Sequence, residues 1–322
     1  MKHDGHLFRL LLITAFIFFT MSFLNAGKFL TVQNFTSMSF QFPELGLFAL
    51  AIMFSLISGG IDLSVVSIAN LAGILAALIM TRLMPPDASA LPALIWIIIA
   101  ILTALLSGLL AGLLNGLLIT RGGITPILTT LGTMQLYMGI AYVITKGPAV
   151  YGYPELFLAI GNGSLWFFPL PLVLFIITTL LIGIILNRSR FGFNLYMLGT
   201  NETAAKFSGI SINRMLLKTY MFSGFLSALT GLVMIARTNS AKADYGSSYL
   251  LQAVLVAILG GVNPSGGFGT VSGVLIAVLA LQFLSSGFNM LHFSNFTAEF
   301  TWGMLLLVVM VINYLTNRNN QR

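Results

Sequence analysis

The chain has 322 residues, of which 57% are hydrophobic and 7% are charged, and its mean hydropathy is +0.98. This composition lies far beyond that of a soluble globular domain and predicts a polytopic membrane protein. With no cysteine and only three histidines, the chain cannot form disulfides and is a poor source of His/Cys metal clusters. Most basic residues flank apolar runs, where they set membrane topology, so the net charge of +7 does not indicate nucleic-acid binding.

The N-terminus combines a short basic region, Lys2 to Arg9, with the apolar stretch Leu10 to Leu24. This arrangement resembles a secretory signal peptide, but no convincing small-x-small cleavage site follows it. Because many further hydrophobic segments follow, we expect an uncleaved first membrane span.

Ten segments are apolar enough to cross a bilayer, a crossing that takes about 20 residues or fewer where neighbouring helices bury the ends. The second and the eighth are short, and each runs into a Gly-Gly pair, at Gly59 and at Gly260. We therefore expect an all-α fold with about ten transmembrane helices and a single transmembrane domain over residues 1–322. The predicted spans are Phe8 to Leu24, Glu44 to Ser58, Leu63 to Met80, Leu91 to Ile119, Pro126 to Thr145, Pro169 to Leu186, Met215 to Ala236, Tyr249 to Leu259, Val271 to Leu291 and Thr297 to Leu315.

The distribution of basic residues predicts which side each loop faces. If the N-terminus is cytoplasmic, ten basic residues face the cytoplasm and five face the exterior, which supports cytoplasmic N- and C-termini. The same orientation places the polar segment from Asn187 to Arg214 in the cytoplasm. The five exterior residues are Lys28, Arg82, Lys146, Arg237 and Lys242.

Two loops carry further signals. The exterior segment from Lys146 to Phe168 contains the pair Trp166-Phe167, and we expect a lid or docking loop with an aromatic anchor at the membrane interface.

The sequence Ser58 to Ser64 has a weak echo in Leu259 to Ser265. Transporters commonly contain structural repeats with interrupted helices, although two Gly-Gly turns can equally arise by chance.

Much of the chemistry of an energised transporter is absent from the sequence. It contains no G-x-x-x-x-G-K-[ST], so any ATP is expected in a partner subunit, and we expect no cofactor in this chain. Of eight carboxylates, all but Asp62 and Glu299 fall in predicted loops or at their edges. Asp62 followed by Leu63 and Ser64 is more simply a helix N-cap than an ion site. The alternative function is an ion-coupled secondary transporter or a channel with Asp62 and Glu299 in its path.

Within the spans the polar side chains are mostly amides. Amides bind sugar hydroxyls without the cost of a buried charge, but they also bond neighbouring helices, and for each residue alone that structural role is favoured. The candidate substrate-path residues are Asn70, Asn115, Gln135, Gln252 and Gln282.

The polar segment contains a short helix with its own start and stop signals. Asn201 can cap it, Glu202 suits its positive N-terminal end, and Gly209 can end it. A helix of roughly 10 Å is not stable alone in water, so another surface must hold it.

Several passages together resemble the permease subunits of ribose-type ABC importers, which take up simple sugars and, in some members, the autoinducer-2 signal. The resemblance spans nearly the whole chain, and it depends on the order of the passages more than on any one of them. They are Ser58 to Ser64 (SGGIDLS), Thr130 to Met134 (TLGTM), Arg190 to Gly192 (RFG), Gly199 to Ile210 (GTNETAAKFSGI), Leu259 to Val262 (LGGV) and Gly266 to Gly269 (GGFG).

The resemblance implies that the short helix is similar to the E-A-A coupling loop by which importer permeases dock onto a cytoplasmic ATPase. Thr203 departs from the strict E-A-A spelling, which leaves open which alanine packs deepest. The coupling residues implied are Gly199, Asn201, Glu202, Ala204, Ala205, Ser208 and Gly209.

The same resemblance implies a monosaccharide or related small polyol as cargo and a location in the bacterial cytoplasmic (inner) membrane. It also implies an ABC ATPase dimer, a second permease copy or homologous permease, and a periplasmic or lipid-anchored sugar-binding protein as partners. The permease itself is then not an enzyme.

Overall fold

The computed structural model describes residues 2–85 and 89–320 as a helical protein with four two-residue strands. The first half contains α1 (Lys2–Leu24), α2 (Val32–Ile57), α3 (Val65–Leu78), α4 (Ala90–Thr120), α5 (Pro126–Thr145), β1 (Val150–Tyr151), α6 (Glu155–Asn162), β2 (Ser164–Leu165) and β3 (Phe168–Pro169). The second half contains α7 (Leu170–Arg188), α8 (Arg190–Thr200), α9 (Glu202–Phe207), α10 (Ile212–Thr238), β4 (Ser240–Ala241), α11 (Tyr249–Leu259), α12 (Val271–Met290) and α13 (Asn295–Asn320).

The ten predicted apolar segments all lie in helices. Among the described residues, eight helices are long and apolar enough to cross a membrane. The other two segments form shorter apolar helices, α11 and the Phe296–Val311 part of α13. An all-α polytopic membrane protein is therefore confirmed, and α11 is as short as the sequence predicts.

The second span is not short, contrary to the prediction. Helix α2 begins at Val32, twelve residues before the predicted start at Glu44. The Thr31 hydroxyl caps it by accepting a hydrogen bond from the Asn34 backbone N–H at 3.3 Å. Its first turns carry polar side chains and Pro43, so hydropathy alone does not reveal them as part of the helix.

Helices α2 and α10 form the centre of the bundle. Of the most apolar 18-residue window of α2, 89% is buried, against 11% for α1, which lies at the periphery. Helix α10 crosses α4 with the backbones in contact, because Gly108, Gly112 and Gly116 recur every fourth residue along the α4 face. A Cβ atom at Gly112 would overlap the carbonyl oxygen of Tyr220, so a larger residue cannot fit there without separating the helices.

The exterior end of α10 is tied to the long exterior loop. Strand β1 pairs antiparallel with β4, and the Asn239 side chain accepts hydrogen bonds from the backbone N–H groups of Gly152 and Tyr153 at 3.2 and 3.0 Å. Strands β2 and β3 form a hairpin whose tip carries Trp166, which is 89% exposed. The hairpin leads directly into α7, so the aromatic tip lies at the start of a membrane-spanning helix.

Candidate coupling site and transport path

Two consecutive short helices, α8 and α9, fill the segment between α7 and α10. The sequence predicted only the second of them. Ser189 caps α8 by accepting a hydrogen bond from the Gly192 backbone N–H at 3.2 Å, and the buried Leu195 and Leu198 hold α8 against the bundle. Helix α8, which packs on the helix bundle, therefore connects the bundle to the exposed α9.

Helix α9 begins and ends where the sequence indicated. The Asn201 side chain accepts a hydrogen bond from the Ala204 backbone N–H at 2.9 Å, and Gly209 follows the helix with a left-handed φ of 81°. Ala205 is fully buried against the bundle, whereas Ala204 and Glu202 are exposed. Ala205 therefore holds the helix in place, and the outward surface belongs to its neighbours.

The outward surface around α9 is basic and partly apolar. Phe207 is 90% exposed and Phe193 of α8 is 65% exposed. Five exposed cations lie in the same stretch of the chain, namely Arg188, Arg190, Lys206, Arg214 and Lys218. Exposed aromatic rings within a rim of charge are typical of a protein interaction site.

Gly199, like Ala205, does not face outward with the other predicted coupling residues. It packs inward, where a Cβ atom would overlap the carbonyl oxygen of Ile57 and the backbone nitrogen of Gly267. The Gly267 N–H donates to the Ile57 carbonyl at 2.9 Å, and the Tyr196 hydroxyl of α8 donates to the Gly269 carbonyl at 2.7 Å. We call this three-way contact of residues 57–59, 196–200 and 265–269 the glycine joint.

The two echoing Gly-Gly segments both form turns, and they meet in the glycine joint. The Asp62 carboxylate accepts a hydrogen bond from the Ser64 backbone N–H at 3.0 Å, and the Asn263 amide accepts one from Ser265 at the same distance. Gly59 and Gly261 have left-handed φ values of 83° and 85°. Each turn therefore ends one helix and re-aims the chain into the next.

Asp62 lies at the centre of a buried polar cluster, and the prediction that it caps α3 is wrong. Ser64 is the N-cap residue, because Asp62 folds back on it in an Asx turn. The second Asp62 oxygen accepts from the Ser223 hydroxyl of α10 at 2.7 Å. Burial raises the pKa of Asp62, and the hydrogen bonds from Ser64 and Ser223 oppose that shift. Asp62 thus fastens the turn to α10.

Two of the five amides of the predicted substrate path are bonded to other segments of the fold. Asn115 is buried in the Asp62 cluster, where it donates to the Ser64 hydroxyl at 2.8 Å, and Asn70 donates to the carbonyls of Ala243 and Tyr245 at 2.9 Å each. Both amides therefore link segments of the fold. The other three differ in exposure: Gln282 is buried, Gln252 is half-buried and Gln135 is exposed.

A buried ion pair near the exterior end is the main feature that the sequence did not predict. Glu44 was expected at the edge of a span, but it lies within α2 and is fully buried. Its carboxylate binds the Arg237 guanidinium in a bidentate pair, at 2.5 and 3.0 Å, and accepts a hydrogen bond from the Tyr249 hydroxyl at 3.1 Å. This contact joins α2, α10 and α11. Arg237 was predicted in an exterior loop, but it lies in the last turn of α10.

Polar side chains of α2 and α12 line a cavity of about 360 Å³ at the exterior end. Within it, the Ser286 hydroxyl donates to the Asn34 side-chain oxygen at 2.7 Å, which joins the two helices. Among residues 2–85 and 89–320, no three His, Cys, Asp or Glu side chains come close enough to hold a metal ion. Further lining residues are Lys28, Ser37, Gln41 and Asn289.

Within residues 2–85 and 89–320, ten apolar helices enclose buried polar clusters and carry the exposed α9 at one end, which is the architecture of a multi-span membrane protein. The chain belongs to the family described as branched-chain amino acid transport system / permease component, whose model matches residues 34–313. It is therefore a multi-pass permease of the cytoplasmic (inner) membrane and not itself an enzyme. The family gives no support to the ion-coupled alternative.

Three relatives illustrate the range of the similarity. The ribose import permease protein of Bacillus subtilis is 34% identical over 91% of this chain and 88% of its own length. The autoinducer 2 import system permease protein of Enterobacter sp. is 36% identical over 84% of this chain and 81% of its own length. The L-arabinose transport system permease protein of Escherichia coli is 32% identical over 89% and 84%. No solved structure matches the chain.

Proposed function

We propose that this chain is the translocation subunit of an ATP-binding-cassette importer and that α9 docks onto a cytoplasmic ATPase. The observation that carries the proposal is an exposed, capped helix of six residues at the cytoplasmic end of a permease. A helix this short has little stability of its own and depends on the surfaces around it. Ala205 supplies one such contact inside the bundle, and the opposite side of α9 is free for a partner.

The chemistry of that free side defines the partner surface. The exposed Phe207 ring requires an apolar pocket, and the surrounding cations require an acidic rim. Glu202 lies in the first turn of α9, where its negative charge interacts favourably with the positive N-terminal end of the helix dipole and helps to keep α9 folded. We propose Asn201, Glu202, Ala204, Ser208 and Gly209 as the docking segment, with ATP bound by the partner dimer.

We propose a monosaccharide or a related small polyol as cargo, delivered by an exterior binding protein to a pair of permease subunits. The support for this class is the similarity to permeases named for ribose, arabinose and autoinducer 2. The amides and hydroxyls that line the exterior cavity are side chains that suit hydroxyl-rich solutes.

Charge reversal at the docking helix tests the proposal. Glu202→Lys should weaken co-purification with the P-loop ATPase expressed alongside it, because a cation in the first turn opposes the helix dipole and destabilises the folded docking segment. The matched control is Glu155→Lys, which reverses an exposed first-turn glutamate of α6 at the exterior end. Both variants should reach the membrane at wild-type levels. Normal ATPase binding by Glu202→Lys would refute the docking assignment.

A second experiment tests the energy source. The purified permease alone in liposomes should not accumulate radiolabelled D-ribose, L-arabinose or autoinducer 2 under a proton or sodium gradient. Uptake should require the ATPase, ATP and the binding protein together. Gradient-driven uptake by the permease alone would refute the importer proposal.

A further inference from the structure

We infer that the glycine joint transmits movement of the docking helix to the membrane spans, and that Gly199 and Tyr196 are positioning residues for this coupling. The inference rests on the proposed function. It separates two roles within one segment: Glu202 and its neighbours bind the ATPase, whereas Gly199 and Tyr196 connect the docked segment to the bundle.

The first step of the argument is the closeness of the three backbones. A Cβ atom at Gly266 would lie 2.7 Å from the Gly199 carbonyl oxygen and 2.8 Å from the Gly59 Cα atom. Gly266 and Gly267 both have left-handed φ values, of 90° and 76°, which side chains other than glycine rarely adopt. With no side chain between them, the three segments have no flexible layer that could absorb a displacement of α8.

The second step is that directional bonds fix the contact. The Gly267 N–H donates to Ile57, which is the last residue of α2, at 2.9 Å. The Tyr196 hydroxyl donates to Gly269, two residues before α12 begins, at 2.7 Å. A shift of α8 therefore acts on the end of α2 and on the start of α12 together.

The third step follows those two helices to the opposite end of the bundle. Asn34 of α2 and Ser286 of α12 bond to each other at 2.7 Å in the exterior cavity. Both helices are continuous between the joint and this bond, since α2 spans Val32–Ile57 and α12 spans Val271–Met290. Movement at the joint should therefore change access to the exterior cavity.

The chain contains no cysteine, so one introduced thiol reports that access. In an Asn289→Cys background, which places the thiol in the cavity lining and keeps the Asn34–Ser286 bond, the purified complex with the ATPase is labelled with a membrane-impermeant maleimide, with and without ATP and vanadate. We expect the labelling rate to change with nucleotide. In Gly199→Ala, ATPase binding should persist while the nucleotide-dependent change becomes about tenfold smaller. Gly183→Ala is the control, because its Cβ atom would have no neighbour within 4 Å.

Tyr196→Phe covers the case in which Gly199→Ala fails to fold. It removes one hydroxyl and no carbon, and the change in labelling should be about threefold smaller. A full nucleotide-dependent change in a folded Gly199→Ala variant, or in Tyr196→Phe where Gly199→Ala does not fold, would overturn the inference. An Asn289→Cys background with no nucleotide response overturns it too. Absence of ATPase binding by the unaltered permease instead refutes the proposed function, so the two failures are distinguishable.

Discussion

Removing one partner of the Glu44–Arg237 ion pair should destabilise the protein more than removing both. The carboxylate is fully buried and makes two bonds to Arg237, whose side chain is 23% exposed. Glu44→Met leaves the guanidinium unpaired, which we expect to lower the free energy of unfolding by about 3 kcal/mol, near the lower end for buried pairs because Arg237 retains some solvent contact. Arg237→Met leaves the fully buried carboxylate unpaired and should cost about 4 kcal/mol.

The double variant removes both charges, so its loss should be smaller than either single loss. It still leaves the Tyr249 hydroxyl without its acceptor, which accounts for a residual cost of about 1 kcal/mol. The measurement is equilibrium unfolding in mixed detergent and SDS micelles, arranged as a double-mutant cycle. Lys242→Met is the control, because the Lys242–Asp244 pair is exposed and should contribute less than about 1 kcal/mol. Additive single effects, or single losses no larger than the control, would refute a buried, coupled pair.

Three further predictions follow from the same packing and polar contacts. Gly112→Ala should lower the free energy of unfolding by about 1–3 kcal/mol, because its Cβ atom would overlap α10. Gly139→Ala, with open space around it, should be neutral or stabilising in the same unfolding measurement. Asp62→Asn should retain transport, whereas Asp62→Ala should lower the free energy of unfolding by about 1–3 kcal/mol because it removes the bonds to Ser64 and Ser223. Loss of transport in a folded Asp62→Asn variant would instead indicate a protonation step. The third prediction places Trp166 at the membrane interface. In a variant whose other two tryptophans are replaced by phenylalanine, lipids brominated near the headgroup should quench the Trp166 fluorescence. Quenching that occurs only after the binding protein is removed would instead identify a docking loop.

Structural features that depend only on residues close together in the sequence were predictable. Long apolar runs reveal membrane helices because every backbone group in lipid must be bonded within its own helix. The start and end of α9 were equally accessible, since Asn201 and Gly209 act on backbone groups within a few residues. The role of this helix in ATPase docking remains a prediction.

Features that depend on distant partners were not predictable from one sequence. Glu44 looks like the exposed first residue of a span until Arg237, 193 positions away, is placed beside it. Helix α8 begins at Arg190 and mixes polar and aromatic residues, and its burial depends on the bundle beneath it. Asp62 has the spacing of an N-cap, but Ser223 of α10 supplies a second partner that favours the Asx turn.

Helices α2 and α11 connect the two unusual contacts of this protein. Glu44 and Ile57 lie on α2 about 20 Å apart, given the rise of an α-helix, so the exterior ion pair and the glycine joint share one continuous helix. Helix α11 begins at Tyr249, which bonds Glu44, and ends at Leu259, just before the loop that enters the joint. A helix transmits an axial shift because its hydrogen-bonded turns resist stretching. We therefore expect a displacement at the joint to strain the ion pair at the other end, whose partner Arg237 lies on a third helix.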